Sequence, residues 1–271
     1  MMQTHNRSDN IHKAWLFRVL DALSSDAYLS SVLYFKGGTC ASMLGWLDRF
    51  SVDLDFDYGG TSEDVPKTRE VLQYVFANLG LSIKDNSKNG IQYFLKYEND
   101  ENPENPGRNT LKLDASFPLF KGSKYAPQRF SEIDRVFICQ TKETMFAHKL
   151  CAIMDRFSKT GHIAGRDLYD VHYFFMHGYD YDPDVIYERT GLLPKEFFQE
   201  LIFFIEKNVT DRVITEDLSS LIEPAKFKVL RKALKREVVS LLKDEITTSL
   251  TPSPTLTSET PLSIFDGEGQ G

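Results

Sequence analysis

Between residues 11 and 29 the apolar side chains Trp15, Leu16, Val19, Leu20, Leu23 and Leu29 recur at mixed three- and four-residue intervals. That spacing predicts an opening amphipathic helix with one buried face, started near Asp9 or Asn10. Ser31 to Phe35 then reads as a strand, and a short helix follows Thr39. From Val52 the period becomes two: Val52, Leu54 and Phe56 alternate with Asp53, Asp55 and Asp57. A strand with this alternation sends its apolar side chains into the core and every carboxylate to the opposite face. A turn at Gly59-Gly60 leads to a helix over about 62–79, and alternating stretches at 81–85, 91–97, 110–117 and 134–139 predict further strands. Turn-rich sequence from Asn99 to Asn109, with Asn102-Pro103 and Asn105-Pro106, predicts a mobile loop.

From Thr141 the pattern is helical. Thr141 is placed as an N-cap with Glu143 in the first turn, although Thr144 stands where a capping box wants Glu or Gln. Segments 149–157, 166–176, 182–190, 194–208, 211–222 and 224–245 all carry helical spacing, with Pro224 suited to a first turn. Residues 247–271 are rich in Ser, Thr, Pro and Gly and hold too little apolar surface to offset ordering entropy, so they are expected to be a disordered tail. Three parts follow: an α/β core over 1–140, a helical region over 141–246 that completes a cleft, and the tail.

Bulk properties narrow the class only modestly. A chain of 271 residues with 41% hydrophobic residues and 20 Phe can fill a sizeable core. No apolar stretch approaches the roughly 18 residues of a membrane span, and the first residues lack a signal peptide's apolar run, so a cytoplasmic protein is expected, with no membrane partner. Cys40, Cys139 and Cys151 have no zinc-like spacing and read as free, packed thiols. A net charge of −7 is unlike a dedicated nucleic-acid binder. Lys226, Lys228, Arg231, Lys232, Lys235 and Arg236 nonetheless crowd into one helical segment, either a local basic stripe or a solvated face.

The candidate chemistry sits in Lys36-Gly37-Gly38-Thr39 and in the acidic strand. Two glycines and a hydroxyl ahead of a helix can offer backbone N–H groups to a phosphate, and carboxylates at i and i+2 can hold divalent cations. The competing readings are an ordinary turn and a solvated strand face. A calcium loop is excluded, because its sixth position would be Tyr58 in place of Gly and its twelfth Asp64 in place of Glu. Leu111, Leu113 and Ala115 alternate with Lys112, Asp114 and Ser116, so Asp114 falls on the polar face of its own strand. Lys149 and Arg156 lie two turns apart on one helix face, and Asp167 and Asp170 share a side of the next helix.

The succession of Lys36-Gly37-Gly38-Thr39, Arg49-Phe50-Ser51 and Asp53-Leu54-Asp55-Phe56 resembles the AbiEii/AbiGii toxin family of nucleotidyltransferases, a branch of the polymerase-β-like superfamily. Lys112-Leu113-Asp114 resembles the strand that brings the third carboxylate. Lys149-Leu150-Cys151-Ala152 with Arg156, and Arg166-Asp167-Leu168-Tyr169-Asp170, resemble the family's helical signature. The resemblance covers roughly residues 30 to 175. It implies a polymerase-β-like α+β core with a mixed sheet, followed by a C-terminal helical region. It also implies a toxin of a bacterial toxin–antitoxin or phage abortive-infection system, with a cognate antitoxin, that transfers a nucleotide from an NTP to RNA, tRNA foremost.

On that resemblance Asp53, Asp55 and Asp114 are expected to hold two divalent cations, Mg²⁺ or Mn²⁺, with Lys149 and Asp170 completing the catalytic set. Lys36, Gly37, Gly38, Thr39, Ser51, Arg156 and Asp167 are expected to bind the nucleotide. Asp167 and Asp170 could instead brace Arg166, Arg156 or Lys149. Two alternatives stay open: transfer to a protein or small molecule, and a non-catalytic nucleotide-binding inhibitor.

Overall fold

The structure, a computed structural model, describes residues 7–98 and 108–248. The expected opening helix is two helices, α1 (Arg7–Ser25) and α2 (Ala27–Val32). Asp26 divides them. Its carboxylate accepts from the N–H groups of Tyr28 and Leu29 at 3.0 and 2.9 Å, an N-cap that starts a new helix. The strand expected at 31–35 accordingly begins later, as β1 (Leu33–Lys36), and α3 (Gly37–Met43) follows it directly. Next come β2 (Asp53–Tyr58), a 3₁₀ turn at Ser62–Asp64, α4 (Val65–Asn78), β3 (Ser82–Asn86), β4 (Ile91–Lys96), β5 (Thr110–Ser116), β6 (Tyr125–Phe130) and β7 (Arg135–Gln140).

All seven strands form one mixed sheet in the order β3-β4-β5-β2-β1-β7-β6. β2 lies at its middle, antiparallel to β1 and parallel to β5, with Asp53 opposite Lys112 and Asp55 opposite Asp114. Leu54 and Phe56 are buried as their alternation predicts. Phe56 packs on Phe35 of β1 with ring centroids 5.1 Å apart, and burying each ring contributes roughly 1.5–3 kcal/mol. Asp57 departs from the expected solvent-facing row: it is 3% exposed, held by Lys36, Tyr125 and Gln140. The strand that brings Tyr125, β6, is absent from the sequence expectation because Pro127 interrupts its pattern. β6 is an edge strand, where a missing N–H is tolerated.

The helical region comprises α5 (Lys142–Thr160), α6 (Gly165–Met176), α7 (Pro183–Thr190), α8 (Pro194–Asn208), α9 (Asp211–Leu218) and α10 (Pro224–Thr248). Thr141 caps α5, its Oγ1 accepting from the Thr144 N–H at 3.3 Å, and Gly161 ends that helix at φ 69°. α10 runs two residues past the expected boundary at 246. The Thr247 and Thr248 hydroxyls donate to the carbonyl oxygens of Lys243 and Asp244, which keeps both residues in the last turn. The rest of the tail, 249–271, and most of the loop expected to be mobile, 99–107, lie outside the described residues.

This region is fastened to the sheet near β2: the Phe50 N–H donates to the Leu221 carbonyl at 2.9 Å. Cys40, Cys139 and Cys151 are buried free thiols. Among the described residues no helix is long and apolar enough to cross a membrane.

Candidate active site

A cleft opens between the sheet and the helical region, lined by Gly38, Arg49, Ser51, Asp53, Asp55, Lys112, Lys149, Arg156, Arg166 and Leu221, among others. Its first wall is built by β1, α3 and β2. The chain leaves β1 through Gly37 at φ +80°, where a Cβ would stand 2.8 Å from the Asp55 Oδ2. At Gly38 a Cβ would meet the Arg49 Nη2 at 2.5 Å and the Ser51 Oγ at 3.1 Å. Both positions therefore need glycine, one for its conformation and both for close approach. Among the described residues, neither the Asp53 nor the Asp55 carboxylate has a hydrogen-bond or ion-pair partner. Burial, then the neighbouring Asp53 charge, push the Asp55 pKa above its ordinary value; Lys112, Lys36 and Lys149 only partly offset this.

The second wall is a buried ionic cluster. Asp170 of α6 accepts two bonds from the Arg49 guanidinium, at 2.5 and 2.7 Å, and lies 2.8 Å from the Lys149 Nζ. Asp167, one turn earlier, accepts from Lys149 at 3.0 Å and from Arg156 Nε at 2.5 Å. Burial opposes the charge of Asp167, but Lys149 and Arg156 outweigh it and hold its pKa at about 2. Burial likewise opposes the charge of Lys149, and Asp167 and Asp170 overcome it, so the ammonium is held protonated. Three cations against two carboxylates leave one positive charge, fixed in position beside Asp55.

Such a site, with unpartnered carboxylates next to braced cations and a glycine turn, suits a metal–polyphosphate ligand. The sequence profile of the family described as "Nucleotidyl transferase AbiEii toxin, Type IV TA system" matches residues 18–244. The chain belongs to this family. Solved structures with a similar fold include JHP933 from Helicobacter pylori, 16% identical, with 91% of this chain and 98% of that one covered at a TM-score of 0.52. A putative nucleotidyltransferase from H. pylori is 17% identical, covering 89% and 99% at 0.51. MenT4, a nucleotidyltransferase toxin of Mycobacterium tuberculosis, is 16% identical, covering 88% and 84% at 0.50. No curated protein matches the chain by sequence.

For an AbiEii nucleotidyltransferase toxin, the placement of the expected residues is instructive. Gly38, Ser51, Asp53, Asp55, Lys149 and Arg156 meet in the cleft, with Gly37 against Asp55. Asp167 and Asp170 are fully buried behind the cations. Asp114 stands beside Asp55 in register, but its Oδ2 accepts from Lys112 at 3.0 Å and from Gln92 at 3.3 Å. Among the described residues no three His, Cys, Asp or Glu side chains are arranged as a metal site.

Two expected phosphate contacts are committed elsewhere. The Lys36 ammonium donates to Asp57 at 2.6 Å and to Ser116 at 2.9 Å. The Thr39 hydroxyl donates to the Asp53 carbonyl oxygen, with the Ser51 Oγ 2.9 Å away, so it ties α3 to β2. Sequence reasoning left three cleft cations without a role: Arg49, Lys112 and Arg166. Each lies inside a stretch that carried the family resemblance, and that was the available signal.

Proposed function

We propose that this toxin transfers a nucleotide from an NTP to RNA, with tRNA as the acceptor class, and depends on Mg²⁺ or Mn²⁺. The observation that carries this reading is the juxtaposition of Asp53 and Asp55, unpartnered, with cations already fixed by other carboxylates. The carboxylates of Asp53 and Asp55 are hard oxygen donors of the kind that hold one or two divalent cations, and burial, then the Asp53 charge, raise the Asp55 pKa, so a bound cation would relieve both. Asp114 joins them if Lys112 releases it. When bound, the cation supplies charge neutralisation at the oxygens that attack and leave the α-phosphate.

The remaining roles belong to the chain. The Gly37-Gly38 turn lets the backbone approach a phosphate closely. Lys149 and Arg156 present fixed positive charge to the triphosphate, as electrostatic stabilisation requires. Asp167 and Asp170 position those cations, and Asp170 also positions Arg49. The acceptor hydroxyl oxygen bonds to the α-phosphorus and gives its proton to solvent, as the bond from the α-phosphorus to the departing pyrophosphate oxygen breaks. Membership of a toxin family implies a cognate antitoxin.

Incubation with each α-labelled NTP, Mg²⁺ and total bacterial tRNA tests the proposal. Label is expected in tRNA with the native protein and is expected to fall at least about a hundredfold with Asp53→Asn. Label entering a protein or small molecule while RNA stays unlabelled would overturn the acceptor assignment. No label in any acceptor would overturn the transfer itself.

A further inference from the structure

The last helix carries a row of cations that the cleft does not use. On α10, Lys228, Arg231, Lys232 and Arg236 are exposed and, among the described residues, make no hydrogen bond or ion pair. Their neighbours are committed: Lys226 donates to Asp48 and Tyr169, and Lys235 donates to the carbonyl oxygens of Glu206 and Val209. Glu237, the acid closest in sequence, is turned to His172 at 2.8 Å. Leu234 and Val238 are buried on the side of the helix away from Lys232 and Arg236.

We infer that the solvent face of α10, through Lys228, Lys232 and Arg236, is the surface on which the acceptor RNA lays its phosphate backbone. This rests on the RNA-acceptor reading above. The three residues follow one another at four-residue steps, so they line one face over about 12 Å of helix rise. The helix that carries the row begins beside the cleft. Leu221, a lining residue of the cleft, is bonded to Phe50 only three positions before α10 starts, and Lys226 in its first turn reaches Asp48, the neighbour of Arg49. A polyanion lying along the row and continuing past the first turn of α10 comes to the side of the molecule that holds the cleft. In a chain of net charge −7 such a stripe supplies the local positive charge that contact with RNA requires. Val229, 75% exposed within the row, offers apolar contact to a sugar or base. An acidic protein would meet the same charges, but the continuity with a nucleotidyl-transfer cleft favours the nucleic acid.

The test is fluorescence anisotropy of a labelled tRNA transcript against the full chain at several salt concentrations. The triple variant Lys228→Gln, Lys232→Gln, Arg236→Gln is compared with the control Lys84→Gln, Lys88→Gln, Lys96→Gln, which removes equal charge from β3, β4 and their turn. The α10 variant is expected to bind at least tenfold more weakly, with a log–log salt slope smaller in magnitude by about 2–3, while the control stays within about twofold of native. Matching melting temperatures establish that both variants are folded. Unchanged affinity and slope in the α10 variant, an equal loss in the control, or no tRNA binding by the native chain would each overturn the inference. Label transfer is read separately. Binding through α10 without transfer would remove the catalytic reading and leave the surface. Transfer with unchanged KM in the α10 variant would do the reverse.

Discussion

Two pairs of carboxylates serve one cleft, and they are treated in opposite ways. Asp167 and Asp170 on α6 are fully buried, and every charge they carry is met by Arg49, Lys149 or Arg156. Asp53 and Asp55 on β2 have no such partners among the described residues, and Asp55 is left with a raised pKa. A buried carboxylate saturated by cations has spent its charge on geometry. One left short of positive charge costs stability and retains its attraction for a ligand. Under the proposed function, the difference corresponds to groups that position and groups that bind.

The sharpest way to break that distinction on stability is Asp170→Ala. It strands Arg49, 3% exposed, and removes one of the two partners of Lys149. A loss of about 3–5 kcal/mol is expected in denaturant unfolding, as for other broken buried ion pairs. A loss below about 1 kcal/mol would mean that the cluster does not brace the cleft.

A smaller effect is expected from acid. The folded-state pKa of Asp167, about 2, lies below the ordinary value of 3.8. Its contribution is therefore fully present above about pH 4 and is lost as pH falls towards 2, amounting to about 2 kcal/mol. Unfolding free energies at neutral pH and near pH 3 should converge in Asp167→Asn relative to the native chain.

The smallest effect carries the opposite sign. Asp55→Asn removes repulsion from Asp53 and the burial of a charge, so stability should hold or rise by up to about 1 kcal/mol, while RNA labelling collapses. Destabilisation comparable to that of Asp170→Ala would place Asp55 with the structural carboxylates.

These contrasts also explain what the sequence could reveal. The acidic strand and the C-terminal helices announce themselves because their periods are local, and Leu54 and Phe56 fall in the core as alternation requires. β6 escapes because Pro127 interrupts its pattern, and with it goes the environment that buries Asp57. In the cleft, local order places Gly38, Asp53 and Asp55 together. The pairing of Arg49 with Asp170 joins residues 121 positions apart, which no spacing rule can see. The partners of Lys36 are hidden for a related reason: a cation beside a glycine turn suits phosphate, and only the fold shows that Asp57 and Ser116, far along the chain, engage it.

The most direct test of the division between binding and positioning carboxylates is the melting temperature with and without Mg²⁺, for the native chain and for Asp55→Asn. A cation bound at Asp53 and Asp55, as proposed, would stabilise the folded chain by about 2.7 kcal/mol at a hundred times its Kd. The native chain should therefore melt higher in Mg²⁺, and Asp55→Asn should lose that rise while remaining folded. An equal rise in both proteins, or none in the native chain, would contradict the account.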